Sequence, residues 1–114
     1  MEKLTKEQIQ DKANDLSTKE GCKVYPFAFL TDDDYQVVGY FKEPSRIAKM
    51  SAFDAMAKTG FTAAGEIILT SSLIVDASDS RILSPLPEND AIFLTACIEA
   101  AQFVKVLQSD LKKN

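Results

Sequence analysis

Phe93, Cys97, Ala100, Val104, Leu107 and Leu111 follow one another at intervals of 4, 3, 4, 3 and 4 residues. Only a helix places such a row on one side, so the spacing predicts an amphipathic helix from about Asp90 to Lys112. A second apolar row, Ile92, Ala96, Phe103 and Val106, lies about one residue's rotation away and widens the arc beyond a two-helix seam. Burying Phe93, Val104, Leu107 and Leu111 would contribute roughly 6 to 12 kcal/mol gross, at about 1.5 to 3 each. At about 1.5 Å per residue the helix is roughly 35 Å long, so one end is expected to project past the body. A partner helix or a second subunit is the expected cover for any part of the arc that the chain's own helices leave wet. The six seam residues are therefore the candidate partner or oligomer interface.

The rest of the chain must supply the remaining layers. Thr5-Lys6-Glu7-Gln8 reads as a capping box ahead of Ile9, Ala13 and Leu16, one helical face, and Gly21 ends that helix. Five acids and five bases between Met1 and Lys23 make this segment neutral and solvated. Residues 1–21 are thus expected to form a helical arm with a weak docking stripe, and residues 22–114 a single domain. From Cys22 to Lys42 the period shortens to two, with Tyr25, Phe27 and Phe29 on one side and Val37, Gly39 and Phe41 later. Thr31-Asp32-Asp33-Asp34 supplies the turn of a hairpin, and Pro26 restricts the first strand to an edge or a bulge.

Glu43-Pro44-Ser45 switches the chain to a helix running to about Lys58, because proline is preorganised for a first helical turn. Its expected inner face is Ile47, Met50, Phe53 and Met56 or Ala57. A further, central helix is expected from Thr62 to Val75. Residues Asp76 to Asn89 then read as an acidic loop pinned by Ile82, Leu83 and Leu86; from Phe61 to Asp90, Arg81 is the lone base against five acids. The fold class is α+β: an amino-terminal helix, one antiparallel β-hairpin and three helices, the last long and amphipathic.

Composition narrows the chemistry. The chain contains no His, which removes the commonest general base near neutral pH and the commonest metal ligand. Two cysteines, Cys22 and Cys97, are too few for an all-thiolate zinc site or a disulfide scaffold, so a reduced compartment is expected. A net charge of −4 argues against general nucleic-acid binding. No apolar run reaches the roughly 18 to 20 residues of a membrane span, and Met1-Glu2-Lys3-Leu4-Thr5-Lys6 lacks a signal peptide's apolar core, so the expected location is cytoplasmic. Asp32-Asp33-Asp34 and Asp76-Ala77-Ser78-Asp79-Ser80 lack the spacing, glycine and closing glutamate of a calcium loop. The Gly60 to Gly65 stretch lacks the Lys-Ser/Thr of a phosphate loop, and Ser109-Asp110-Leu111-Lys112 stands without the companion motifs of a serine acyl-transfer site. No catalytic residue, cofactor or metal is expected, and the chain reads as a non-enzyme.

The hairpin, the Tyr40-Phe41-Lys42-Glu43-Pro44-Ser45-Arg46 junction, two short helices and a final amphipathic helix together resemble the small phage tail assembly chaperones. The resemblance spans about Val24 to Leu111, and its motif is the aromatic and basic junction closing on Pro44, Ser45 and Arg46. It implies a partner: the tape measure protein, a long helical chain kept soluble until tube subunits replace the chaperone. It implies no covalent chemistry, and a location in the host cytoplasm. Two other readings fit the same composition: a small virion component that joins neighbouring subunits, and a regulatory module that binds another protein through its acidic loop.

Overall fold

The computed structural model describes the backbone of residues 3–113 and the side-chain surroundings of residues 3–107. The chain is α+β, in the expected order: α1 (Lys6–Glu20), β1 (Val24–Leu30), β2 (Gln36–Lys42), α2 (Arg46–Lys58), α3 (Phe61–Ser72), two short 3-10 turns (Val75–Ala77 and Pro87–Asn89) and α4 (Asp90–Lys113). The capping box at α1 is complete: the Thr5 hydroxyl accepts from the Gln8 amide and the Gln8 side chain accepts from the Thr5 amide. Gly21 closes the helix at φ 74°, a left-handed conformation that favours glycine.

β1 and β2 pair antiparallel in unbroken register from Val24↔Lys42 to Leu30↔Gln36. The turn closes through the Thr31 amide on the Tyr35 carbonyl at 2.8 Å and the Asp34 amide on the Thr31 carbonyl at 2.9 Å. Pro26 sits opposite Tyr40 with no bulge. The Tyr40 amide and carbonyl point away from β1, to Ser78 Oγ and the Ile74 amide, so the facing proline nitrogen also points outward and costs no ladder bond.

The pleat divides the hairpin between two layers. Tyr25, Phe27, Phe29, Val37 and Phe41 face the helical layer. Val24, Ala28, Val38 and Tyr40 face α1, whose Ile9 and Ala13 are buried among them. The arm is thus packed as an outer layer on the sheet. Gly39 leaves room for its cross-strand neighbour, because a Cβ there would overlap the Phe27 ring.

Within the helical layer α3 and α4 form the central pair. Ala64, Gly65, Ile68 and Leu69 of α3 are buried with Ala96, Cys97, Ala100 and Val104 of α4. Two expectations need correction. The covered face of α2 is centred on Ala48 and Ala52, with Phe53 and Met56 partly buried, whereas Ile47 is 78% and Met50 61% exposed. Alanines let helix backbones approach closely, and that shape outweighs the larger transfer free energy of isoleucine and methionine. Second, α3 ends at Ser72 instead of Val75, because Leu73 bridges to Phe41 and the Ile74 amide donates to the Tyr40 carbonyl at 2.8 Å. Pairing with the open edge of β2 satisfies backbone groups that another helical turn would leave beside it.

The acidic segment continues along that edge. The Asp79 amide donates to the Val38 carbonyl at 3.0 Å, Ser78 Oγ accepts from the Tyr40 amide, and Ile82 is fully buried. Of the three expected anchors only Ile82 is buried; Leu83 and Leu86 are exposed.

Candidate interaction surface

The six seam residues do not form one outward face. Cys97, Ala100 and Val104 are fully buried in the chain's own core, Phe93 is partly buried against it, and Leu107 is partly buried. Leu111 lies outside the described side chains. The interface assignment is therefore corrected for Cys97, Ala100 and Val104: α3 and the hairpin already cover them. In the second row, Phe103 lies edge-on to Tyr25 and Phe41, with ring centroids 4.9 and 5.7 Å apart. Burial raises the Cys97 thiol pKa to about 11, with a smaller contribution from the Glu66 charge, so it stays protonated as a core hydrophobe.

At the junction, Pro44 is buried and the Ser45 hydroxyl caps α2 by accepting from the Ala48 amide at 3.1 Å. Arg46 is exposed and, among the described residues, is in no ion pair. The preceding Glu43 ties the junction to both neighbouring layers: Tyr25 Oη donates to it at 2.7 Å and Lys49 pairs with it. Burial pushes the Glu43 carboxyl up, but the hydrogen bonds from Lys49 and Tyr25 outweigh it and hold the group below its ordinary value. Burial and the neighbouring Glu43 push the Tyr25 phenol well above its usual range. These bonds orient the start of α2; they create neither a base near neutral pH nor an activated nucleophile.

Two further charged pairs are likewise structural. Asp79 accepts from Arg81 through Nε at 3.0 Å and Nη2 at 2.7 Å; that pairing lowers the Asp79 carboxyl against burial and raises Arg81. Asp34 pairs with Lys3 at 2.7 Å. Among the described residues no three carboxylate or thiol side chains gather as a metal site. None of the described helices is long and apolar enough to cross a membrane.

The core leaves two exposed apolar pairs on the helical layer, each spanning about one turn: Ile47 with Met50 on α2, and Leu94 with Ile98 on α4, the latter 47% and 46% exposed. Val106 lies further along α4, also exposed, and Lys105 Nζ stands 5.3 Å over the exposed Phe61 ring. Ile47, Met50, Leu94 and Ile98 are not among the six seam residues that the sequence offers as a candidate interface. The signal available for the α4 pair was its spacing of four on the side away from the seam. No family model, curated protein or solved structure matches the chain.

Proposed function

We propose that the chain is a non-enzymatic protein-binding module that docks a helical partner on the outer side of its helical layer. The observation that carries this reading is the Leu94–Ile98 pair: two large aliphatic side chains on one face of α4, left half-exposed by a core that is otherwise closed by α3 and the hairpin. Exposed aliphatics one helical turn apart give α4 a short apolar stripe against which the apolar face of an amphipathic partner helix can pack. On the resemblance of the Pro44-Ser45-Arg46 junction, the partner is the tape measure protein and the role is that of a phage tail assembly chaperone. Self-association through the same outer pairs would shield them until the partner arrives.

Co-purification of the full chain from its native cells tests this role. A long helical protein in the complex, and absence of the chain from finished particles, is the expected result. Recovery of the chain as a stoichiometric part of purified virions would favour the structural alternative instead.

A further inference from the structure

The two edges of the hairpin meet different surroundings. The Thr31 amide donates to the Tyr35 carbonyl and the Glu43 amide to the Lys23 carbonyl, each at 2.8 Å, so the odd-numbered residues of β1 carry the ladder bonds. Val24, Pro26, Ala28 and Leu30 therefore turn their main-chain groups outward. The outer edge of β2 is occupied by Leu73, Ile74, Ser78 and Asp79. On β1, the outward amides and carbonyls of Ala28 and Leu30 bond no partner among the described residues. Pro26 offers no N–H, so the stretch of this edge best able to pair with another strand runs from Ala28 to Leu30.

The free end of β1 and its turn form one wall of a groove of about 380 Å³, and the start of α4 forms the other. Phe29, Ile92, Leu30 and Tyr35 give it an apolar lining, the last two each about half exposed. Its charge is one-sided. Asp32, Asp33 and Glu88 line it, and among the described residues they are in no ion pair. The only base lining it, Arg81, is already neutralised by two hydrogen bonds to Asp79. The positive end of the α4 dipole lies here too, and Asp90 in the first turn offsets its roughly half charge. The described carboxylates do not gather as a metal site, so a row of side-chain cations suits them better than a single ion.

We propose that this groove docks an extended, lysine- or arginine-bearing segment of a partner protein, which pairs with the free edge of β1 at Leu30 and sets its cations against Asp32, Asp33 and Glu88. Strand addition supplies main-chain bonds to any extended chain, and the charges select a basic one. Leu94 and Ile98 do not line the groove, so this surface and the helical docking face are tested separately.

The test titrates two fluorescently labelled peptides into the full chain at low ionic strength, where exposed charges are least screened. One alternates lysine with valine and the other glutamate with valine. The lysine peptide should bind at least tenfold more tightly than the glutamate peptide. Asp32→Asn/Asp33→Asn/Glu88→Gln should weaken the lysine peptide at least tenfold, and the fold should survive because these side chains hold no ion pair among the described residues. Glu7→Gln/Asp11→Asn/Asp15→Asn removes the same charge from exposed positions on α1 and should leave binding unchanged. Hydrogen exchange at the Leu30 amide should slow at least tenfold when the lysine peptide saturates the chain. Equal affinity for the two peptides overturns the proposal, as does an equal loss in the two triple variants, which would mean diffuse attraction to an acidic chain. Unchanged Leu30 exchange overturns the pairing with β1.

Discussion

Gly65 of α3 lies directly against the carbonyl oxygen of Cys97 in α4, so close that a Cβ at Gly65 would overlap that oxygen. The contact is backbone to backbone, and it sets the distance between the two central helices. Neither partner has a flexible end that can move aside.

Gly65→Ala should therefore destabilise the chain by about 3 kcal/mol, near the upper end of overpacking effects. In an exposed helix the same change would stabilise, by roughly 0.5 to 1 kcal/mol. The sign of the measured change in denaturant midpoint separates the two. At Gly39 the obstructing group is the Phe27 ring, which can rotate, so Gly39→Ala should cost less, about 1 to 2 kcal/mol.

Val104→Asp should abolish cooperative folding, because Val104 is fully buried in the apolar core, where an ionised carboxylate is costly. Circular dichroism and light scattering together check this. A folded variant that merely changes its oligomeric state would return Val104 to an interface.

The two thiols should differ sharply toward an aromatic disulfide reagent at pH 8. Cys22, partly exposed, should react within the native state, and Cys97 only as fast as the core opens. The raised pKa of Cys97 also has a stability consequence. The folded state favours the protonated thiol, so this contribution is intact below the ordinary thiol range and is lost as pH climbs toward about 11.

Glu43 acts at the acid end. Its folded pKa is depressed, so its contribution is present above the ordinary glutamate value of about 4.3 and disappears as pH falls through the lower folded value. Replacing its cation by Lys49→Met should flatten the acid limb of a stability–pH profile while leaving the limb above neutrality in place.

Local rules made the capping box, the hairpin faces and the order of elements legible. Thr5 with Gln8, and the alternation of Tyr25, Phe27 and Phe29, depend on neighbours close in sequence. The α4 seam was also legible as a stripe, but periodicity gives the direction of a face without naming what covers it. The answer lay in Gly65 and Ala64 of α3, small enough to bring that helix onto Cys97 and Ala100. Likewise, alanines at 48 and 52 rather than Ile47 and Met50 seat α2, a choice made by shape, which hydrophobicity patterns do not encode. The end of α3 was hidden because the competing force, the open edge of β2 at Tyr40 and Phe41, lies some thirty residues away in sequence.

α4 carries the core on one side, and on the other the half-exposed Leu94 and Ile98 that the proposed partner would cover. Burying the remaining half of Leu94 and Ile98 would contribute about 1.5 to 3 kcal/mol together, roughly a ten- to hundredfold change in affinity. The direct measurement compares wild type with Leu94→Glu/Ile98→Glu for thermal stability and for affinity to the co-purified helical partner. The predicted result is a partner affinity at least tenfold weaker with cooperative unfolding retained, at a melting temperature lowered only by what the buried half of the two side chains contributes. Undiminished binding by the double variant would show that the partner does not dock on Leu94 and Ile98.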